Sequence, residues 1–431
     1  MSGAIRRRAR AAALLVALSA ALLASCAPRK EPAELPREFA RHVVIVSLGR
    51  FRADHLAFEG YARNTTAHRE GAPQRAGALD HTLEVLREQG TVFLRAYVPE
   101  GSFEGGMAGW LHGACFRAGR LASCERSLAA LLREHGWRTV AVTSGLPFDR
   151  GSPLLDGFET VVHVTSPHDV VARVDEEAAQ VGTRGLFLWV HLDLPGGATD
   201  LLTKELAPYL DELLPASERA PVALDWAAQE ARFAARAPYD EREQRTLTAS
   251  YDARLLHLHD CMRAVLWALS ARRAILPDAV LAVVGDRGCE LGHREAYIGS
   301  RLSAREEALR VPFLLRGPRV PAAELRTDLV EAADLYPTVL RAVDLAAPEG
   351  LRGRDLWAGR DPARRIEGRS ADGARTLRDR RFRLIVPPEE KLSAFHREVE
   401  LYDLWDAAGQ RSSSAAANPA LVAELRAHLD A

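Results

Sequence analysis

The sequence lacks an excess of charge of either sign. Its 57 Lys and Arg residues nearly balance 58 Asp and Glu residues, so the formal net charge is -1 across 431 residues. A protein that binds nucleic acid through its phosphates needs a basic excess. The composition therefore argues against nucleic acid as a partner. Apolar residues make up 47% of the chain, which is enough for one large α/β domain or two ordinary ones.

Cysteine is also scarce, with five residues in the chain. Apart from Cys26, the cysteines are Cys115, Cys124, Cys261 and Cys289, and no two of them form a C-x-x-C pair. We therefore do not expect these thiols to bind a metal. Cys115 and Cys124 flank a short loop and are the preferred disulfide pair, although four cysteines allow three connectivities.

The apolar run near the N-terminus is too short to span a membrane. It extends over about 13 residues, from Ala11 to Leu23, and follows a cluster of arginines, which is typical of a signal peptide. The segment Leu23-Ala24-Ser25-Cys26 resembles a bacterial lipobox. We predict a lipoprotein signal peptide over residues 1–25 and lipidation of Cys26.

This N-terminal pattern predicts a protein held at a membrane by its lipid. Residues 26–40 contain three prolines and are predicted to form a short stiff tether. The expected location is the bacterial cell envelope. Ala27 is not the Asp that retains lipoproteins at the inner membrane, so the outer membrane is favoured. The sequence leaves the oligomeric state open.

Apolar runs that alternate with helical patterns follow the tether. They begin with His42 to Leu48 and recur at residues 139–143, 186–192, 279–284 and 311–315. Such runs are typical of strands buried on both faces of a parallel sheet. The clearest helical pattern runs from Leu255 to Leu269 with apolar spacings of three and four. The order predicts an α/β fold with a mostly parallel central sheet covered by helices on both faces.

Two segments do not follow this alternation of strands and helices. Residues 199–246 are rich in Ala, Glu and Arg and are predicted to be a helical insertion in a main domain that spans residues 41–355. Residues 356–431 are predicted to form a small C-terminal subdomain, with an antiparallel sheet and a terminal helix that starts at Asn418-Pro419.

Several segments resemble the sulfatase family of the alkaline phosphatase superfamily, in the family's order. They are Arg52 to Leu56 with Gly60-Tyr61, Gly90 to Pro99, Gly136 to Val142, Val284 to Gly288 with Glu290 to Gly292, Glu306 to Pro312, and Glu400 to Leu404. The resemblance implies an alkaline phosphatase-like α/β/α sandwich. It also implies a divalent cation, usually calcium, held by Asp and Asn oxygens, and a Cys, Ser or Thr nucleophile.

The catalytic positions depart from the family's pattern. Gly49 stands where the family has a metal-binding Asp, and Phe103 and Met107 stand in the nucleophile motif. Gly196 takes the place of a His that follows a later strand. Asp286 is retained as the one expected metal ligand, but its neighbour is Arg287. One carboxylate cannot fill the six to eight oxygen positions that calcium prefers, so no cofactor is expected unless the site has been rebuilt.

The substitutions suggest that a cation of the protein replaces the metal. Arg50 and Arg287 lie beside the altered positions, and we hypothesise that a guanidinium is the partner of Asp286. A rebuilt metal site could instead use His191 and Asp193 with Asp286. Calcium or another divalent metal would then return as cofactor.

Other candidates have ordinary structural explanations. Ser102 precedes the nucleophile position and could react if the register shifted, with His112 or His293 as acid or base. It is more simply a loop hydroxyl. His257 and His259 are two apart on a predicted helix and point in different directions. We expect one to be solvated and the other partly packed.

The sequence leaves three functions open, of which the simplest is a purely structural component of the cell envelope. The second is a catalytically degenerate sulfatase-like protein that binds an anionic glycan, a lipid headgroup or a partner protein. The third is an active sulfuric- or phosphoric-ester hydrolase with a rearranged metal site.

Overall fold

The structure is a computed structural model that describes most of the chain after the tether. The described residues are 39–66, 81–117, 120–122, 126–145, 151–194, 204–223, 225–388, 395–406 and 412–430. The predicted signal peptide, Cys26, Cys124 and Gly196 lie outside them. The Cys115–Cys124 pairing therefore stays a prediction. Cys261 and Cys289 are free thiols.

Nineteen strands and ten α-helices are described. The strands are β1 His42–Leu48, β2 Thr91–Phe93, β3 Ala96–Tyr97, β4 Cys115–Arg117, β5 Arg120–Ala122, β6 Arg138–Ser144, β7 Thr160–Val164, β8 Leu186–Leu192, β9 Ala279–Gly285, β10 Glu290–Leu291, β11 Ile298–Gly299, β12 Arg310–Val311, β13 Phe313–Arg316, β14 Glu324–Arg326, β15 Val330–Glu331, β16 Ile366–Arg369, β17 Arg375–Arg378, β18 Phe382–Val386 and β19 Glu400–Asp403. The helices are α1 Leu83–Gln89, α2 Phe103–His112, α3 Leu128–Glu134, α4 Val170–Ala178, α5 Ala207–Leu213, α6 Trp226–Ala235, α7 Glu241–Trp267, α8 Glu306–Leu309, α9 Leu335–Ala342 and α10 Pro419–Asp430. Among these described residues, no helix is both long and apolar enough to cross a membrane.

The central sheet has eight strands in the order β14-β2-β13-β9-β1-β8-β6-β7. β1 lies between β8 and β9 and runs parallel to both. β13 is antiparallel to β9 and β2. The predicted mostly parallel α/β sheet is confirmed, with this one reversed strand.

Alternate residues of the central strands face two separate cores. Val44 and Val46 pack on one side with residues of α7, and Val43 and Ile45 pack on the other with Trp110 of α2. Because successive side chains of a strand point to opposite faces, this division produces the α/β/α sandwich. The parallel register then brings the carboxyl ends of β8, β1 and β9 together at one edge.

The C-terminal residues form a four-stranded antiparallel sheet in the order β16-β17-β18-β19. Leu425 and Leu429 of α10 pack against it. This arrangement matches the predicted sheet and terminal helix. In the predicted insertion, α5 packs against α7. Helix α7 begins at Glu241 with a capping box from Asp240, which is five residues before the predicted end of the insertion.

His42 at the start of β1 makes stability sensitive to acid. Its Nδ1 accepts a hydrogen bond from the Leu186 N–H over 3.1 Å, so the ring is neutral in the folded protein. Burial, with a contribution from Arg41, lowers the pKa of His42 to about 4. The unfolded chain restores a pKa of about 6.5. Unfolding below that pH therefore takes up a proton, and stability is lost as pH falls from about 6.5 towards 4.

We expect the urea midpoint of unfolding to fall as the pH is lowered from about 6.5 to 4. The fall in midpoint per pH unit should be smaller in His42→Gln than in the unchanged protein. His428→Gln is the control, because His428 is exposed. If the urea midpoint falls equally with pH in His42→Gln and in the unchanged protein, His42 is not the source of the acid sensitivity.

Candidate functional site

The carboxyl ends of β1, β8 and β9 bring two buried carboxylates together. Asp286 follows β9 and is 0% exposed, and Asp193 follows β8 and is 8% exposed. With His191, they place potential ligand atoms within 4.8 Å of one another. These are the three residues that the sequence suggested for a rebuilt metal site. The structure brings them together as a possible ligand group, so that suggestion stays a prediction.

Asp193 occupies the space that Gly49 leaves open. A Cβ built on Gly49 would lie 2.3 Å from Cγ of Asp193 and 2.5 Å from its Oδ2. No side chain at position 49 can coexist with this carboxylate. The carboxylate that the sulfatase resemblance predicts at position 49 is absent, and the Asp193 carboxylate, which follows β8, lies in that space.

Three arginines surround Asp193. Arg50 Nη2 donates to Asp193 Oδ1 over 3.1 Å, and Arg254 Nη2 donates to the same oxygen. Arg287 Nη2 lies 3.9 Å from Asp193 Oδ2. Burial alone would raise the pKa of the Asp193 carboxyl, but the three guanidinium groups outweigh it and hold that pKa well below its usual range. Asp193 is therefore ionised, and its Oδ1 accepts from two guanidinium groups.

Asp286 has two donors of a different kind. The backbone N–H of Arg50 donates to Asp286 Oδ1 over 2.6 Å, and Arg287 Nη1 donates to Oδ2. Arg50 holds a left-handed backbone conformation with φ +51°, which turns its N–H towards Asp286 while its side chain reaches Asp193. Of the two arginines predicted as charge replacements, Arg287 contacts Asp286 through its guanidinium. Arg50 contacts it through the main chain.

Arg254 was not singled out from the sequence. It lies in the middle of α7, is 1% exposed, and also donates from Nη1 to the Gly49 carbonyl over 2.7 Å. A signal was available, because Arg254 follows Leu247 by seven residues and precedes Leu258 by four. That spacing places a cation on the buried stripe of the helix, where a carboxylate partner is required.

The nucleophile position carries an aromatic ring. Phe103 is the first residue of α2, its ring centre lies 4.9 Å from that of His191, and the Arg287 guanidinium lies 5.8 Å from the Phe103 ring. Met107, one turn further along, is 0% exposed. The helix sits close to the site because Gly106 has no side chain, since a Cβ there would lie 1.8 Å from the Asp286 carbonyl oxygen. Neither Phe103 nor Met107 can attack an ester.

Ser102 caps α2. Its Oγ accepts from the Gly105 N–H over 2.9 Å and donates to Glu100 Oε1 over 2.6 Å. His112 lies at the other end of the helix, about 15 Å away by helical rise, and cannot serve as its base. His293 is exposed, and its Nδ1 lies 3.3 Å from Gln244 Nε2. The structure thus gives Ser102 a local structural role and does not assemble a Ser–His pair from these residues.

The expected assignment of His257 and His259 is wrong. Both are 1% exposed, because α7 is buried on all sides at this level. His259 Nε2 accepts from the Leu83 N–H over 3.2 Å. His257 Nε2 lies 3.9 Å from Cys261 Sγ.

The donor set of the site fits a divalent cation poorly. His191, Asp193 and Asp286 are close enough to act as ligands, but Asp193 Oδ1 already accepts from Arg50, from Arg254 and, over 2.7 Å, from the Leu194 N–H. His191 Nδ1 lies 2.9 Å from Ser47 Oγ. Three guanidinium groups face two carboxylates, so an added divalent charge would be repelled. Calcium also prefers six to eight oxygens.

Comparison with known proteins places the chain in a family. The sequence profile of the Sulfatase family matches residues 41–345. Arylsulfatase K from Xenopus laevis is 27% identical over 121 residues, which cover 28% of this chain and 22% of that protein. The matched stretch therefore spans about a fifth of the curated relative.

Solved structures of low sequence identity share the fold. A 2-O GAG sulfatase superposes with a TM-score of 0.64 over 91% of both chains at 18% identity. The phosphonate monoester hydrolase of Agrobacterium radiobacter gives a TM-score of 0.63 at 16% identity, over 90% of this chain and 96% of its own. Sulfatases usually bind a divalent metal, and His191, Asp193 and Asp286 lie close enough together to act as ligands, although their arginine partners oppose a cation. Because the family profile matches residues 41–345, the chain belongs to the sulfatase family.

Proposed function

We propose that this sulfatase-family protein has lost metal-dependent ester hydrolysis and acts by binding an anionic ligand. The observation that carries the proposal is the cluster of Arg50, Arg254 and Arg287 on Asp193 and Asp286. In this proposal the guanidinium groups neutralise the two carboxylates that a metal would otherwise neutralise. Phe103 removes the nucleophile from the same site.

The first test is ester turnover. We expect no release of nitrophenol from 4-nitrophenyl sulfate or 4-nitrophenyl phosphate above the buffer blank, with EDTA or with millimolar calcium, magnesium or manganese. Those three ions should also leave the melting temperature within about 1 °C, because in this proposal the arginines of the described site exclude them from the folded state. Asp286→Ala separates a true activity from a contaminant. Turnover that depends on one of these metals and disappears in Asp286→Ala would establish the alternative, an active hydrolase with a rearranged metal site.

An arginine-lined cavity supports the binding half of the proposal. It lies between the main domain and the C-terminal sheet and has a volume of about 220 Å³. Ligand pockets for drug-sized molecules are usually about 300–1,000 Å³, so this cavity suits a single anionic group. Its lining includes six arginines and three carboxylates, and these are Arg95, Arg294, Arg305, Arg310, Arg378, Arg383, Asp54, Glu306 and Glu307.

The pairing of these arginines leaves donors available. Glu306 Oε1 accepts from Arg383 Nε over 2.7 Å and lies 3.2 Å from Arg378 Nε. Arg305 Nη1 and Arg310 Nε are buried and have no hydrogen-bond partner among the described residues. An unsatisfied buried donor is costly, and a sulfate or phosphate oxygen would satisfy it.

Arg95 is the cation of the lining that the protein neutralises least. No carboxylate of the described residues lies within salt-bridge distance of it, and its Nη1 donates to the Arg380 carbonyl over 3.4 Å. Burial, followed by repulsion from Arg378, lowers the pKa of Arg95. An anion in the cavity would offset both effects.

We expect inorganic sulfate and phosphate to bind the full chain in calorimetry, and Arg95→Gln to weaken that binding roughly tenfold, since charged hydrogen bonds are worth about 1.5–3 kcal/mol. Arg133→Gln is the matched control, because Arg133 is exposed and does not line the cavity. Equal affinities for Arg95→Gln and the unchanged protein would place the anion outside this cavity. No binding of either anion would contradict the proposal that the cavity binds one.

A further inference from the structure

A group of soft metal ligands lies away from the arginine–carboxylate site. His257 and Cys261 are one turn apart on α7 and share a face, and His168 comes from the turn before α4. Cys261 Sγ lies 3.8 Å from His168 Nδ1 and 3.9 Å from His257 Nε2. The potential ligand atoms of the three residues all lie within 4.8 Å of one another.

These distances are close to the edges of a zinc tetrahedron. Zinc binds sulfur at about 2.3 Å and imidazole nitrogen at about 2.0–2.1 Å, so sulfur and nitrogen ligands of one ion lie about 3.6 Å apart. The two separations exceed that value by a few tenths of an ångström. A small inward movement of side chains is enough to bring all three ligands onto one ion.

We propose that His168, His257 and Cys261 form a zinc-binding site. Two imidazoles and one thiolate are a ligand set that zinc accepts, with the fourth position left to water or an exogenous group. Binding would release the Cys261 thiol proton to solvent, because the thiolate is the ligand. The site is separate from the proposed loss of hydrolysis, since zinc there touches neither Asp193 nor Asp286.

The surroundings support a bound cation. His257 Nδ1 is buried and has no hydrogen-bond partner among the described residues, so the ring is not held by another contact through that nitrogen. The Asp260 and Glu205 carboxylates lie close enough to Cys261 to act on its thiol electrostatically. They would offset part of the charge of the ion. Tyr209 OH donates to Asp260 Oδ2 over 3.1 Å and holds that carboxylate in place.

Access to the site comes from His168. Its side chain is exposed, whereas His257 and Cys261 are each 1% exposed. An ion can therefore arrive from solvent at His168 and settle on the two buried ligands. From the sequence we did not expect a cysteine to bind a metal, because no two cysteines form a C-x-x-C pair. That expectation overlooked that a thiol can share a metal with a histidine on the preceding helical turn.

Cobalt substitution with the full chain tests the proposal. We expect one cobalt ion to bind and to give the near-ultraviolet charge-transfer band of a thiolate ligand, and zinc to displace it. Cys261→Ser should abolish the band. Cys289→Ser is the matched control, because Cys289 is also a buried free thiol, and it should retain the band in full.

His168→Gln provides a variant that keeps the fold, since His168 is exposed. We expect it to weaken zinc binding at least tenfold in competition with a chromophoric chelator, with an unchanged melting temperature without metal. A charge-transfer band that persists in Cys261→Ser, or an affinity for zinc that is the same in His168→Gln, would overturn the proposal.

Discussion

Replacing Asp193 with alanine is expected to lower the free energy of unfolding by about 3–5 kcal/mol, the usual cost of removing one partner from a buried ion pair. Arg254 is 1% exposed and Arg50 is 5% exposed. Without Asp193, the Arg254 guanidinium keeps its hydrogen bond to the Gly49 carbonyl, but its charge stays buried and loses its nearest carboxylate. The loss should appear as a lower urea midpoint with an unchanged m-value.

Asp211→Ala is the control for this experiment. Asp211 also pairs with an arginine, Arg219, but its side chain is 64% exposed, and exposed pairs contribute about 0–1 kcal/mol. A loss of under 1 kcal/mol for Asp193→Ala, close to that of the control, would mean that the buried arginines do not depend on this carboxylate.

Moving the carboxylate from position 193 to position 49 is expected to recover much of the stability that is lost without Asp193. Gly49→Asp alone should be strongly destabilising, because even a Cβ at this position would lie 2.3 Å from Asp193 Cγ, and overpacking typically costs about 1–3 kcal/mol before charge repulsion is added. Asp193→Gly alone leaves Arg254 unpaired. In the double variant the new carboxylate enters the space that Asp193 vacates.

A double-mutant cycle measures this exchange. We expect the double variant to lose about 2–3 kcal/mol less than the sum of the two single variants, at the upper end of coupling between residues in contact. Gly49→Asp combined with Asp211→Ala should be additive. If the losses in free energy of unfolding are also additive for Gly49→Asp combined with Asp193→Gly, positions 49 and 193 do not share one carboxylate space.

Much of the fold could be predicted from the sequence because its strands are fully buried. A strand covered on both faces is apolar throughout, so β1, β8 and β9 are visible as continuous runs. The reversed direction of β13 was not predictable in this way, because an apolar run carries no information about the direction of the strand.

The candidate site could be predicted only in part. Asp286 and Arg287 are adjacent in the chain and follow a strand, so their pairing was a reasonable hypothesis. Asp193 and Arg254 are 61 residues apart, and only the register of β8 with β1 and the rotation of α7 bring them together. The burial of His257 was missed for a related reason, since helix pattern alone does not show that elements cover every face of α7.

The completeness of that burial has a consequence for motion. Every residue of α7 from Ala249 to His259 is buried, and this stretch holds both Arg254 and His257. Its amide hydrogens can exchange with solvent only when a large cooperative unit opens. The Arg254 and His257 side chains are therefore attached to a segment whose amide hydrogens we expect to exchange slowly. A zinc ion that binds His257 would therefore meet a side chain whose backbone we expect to open rarely.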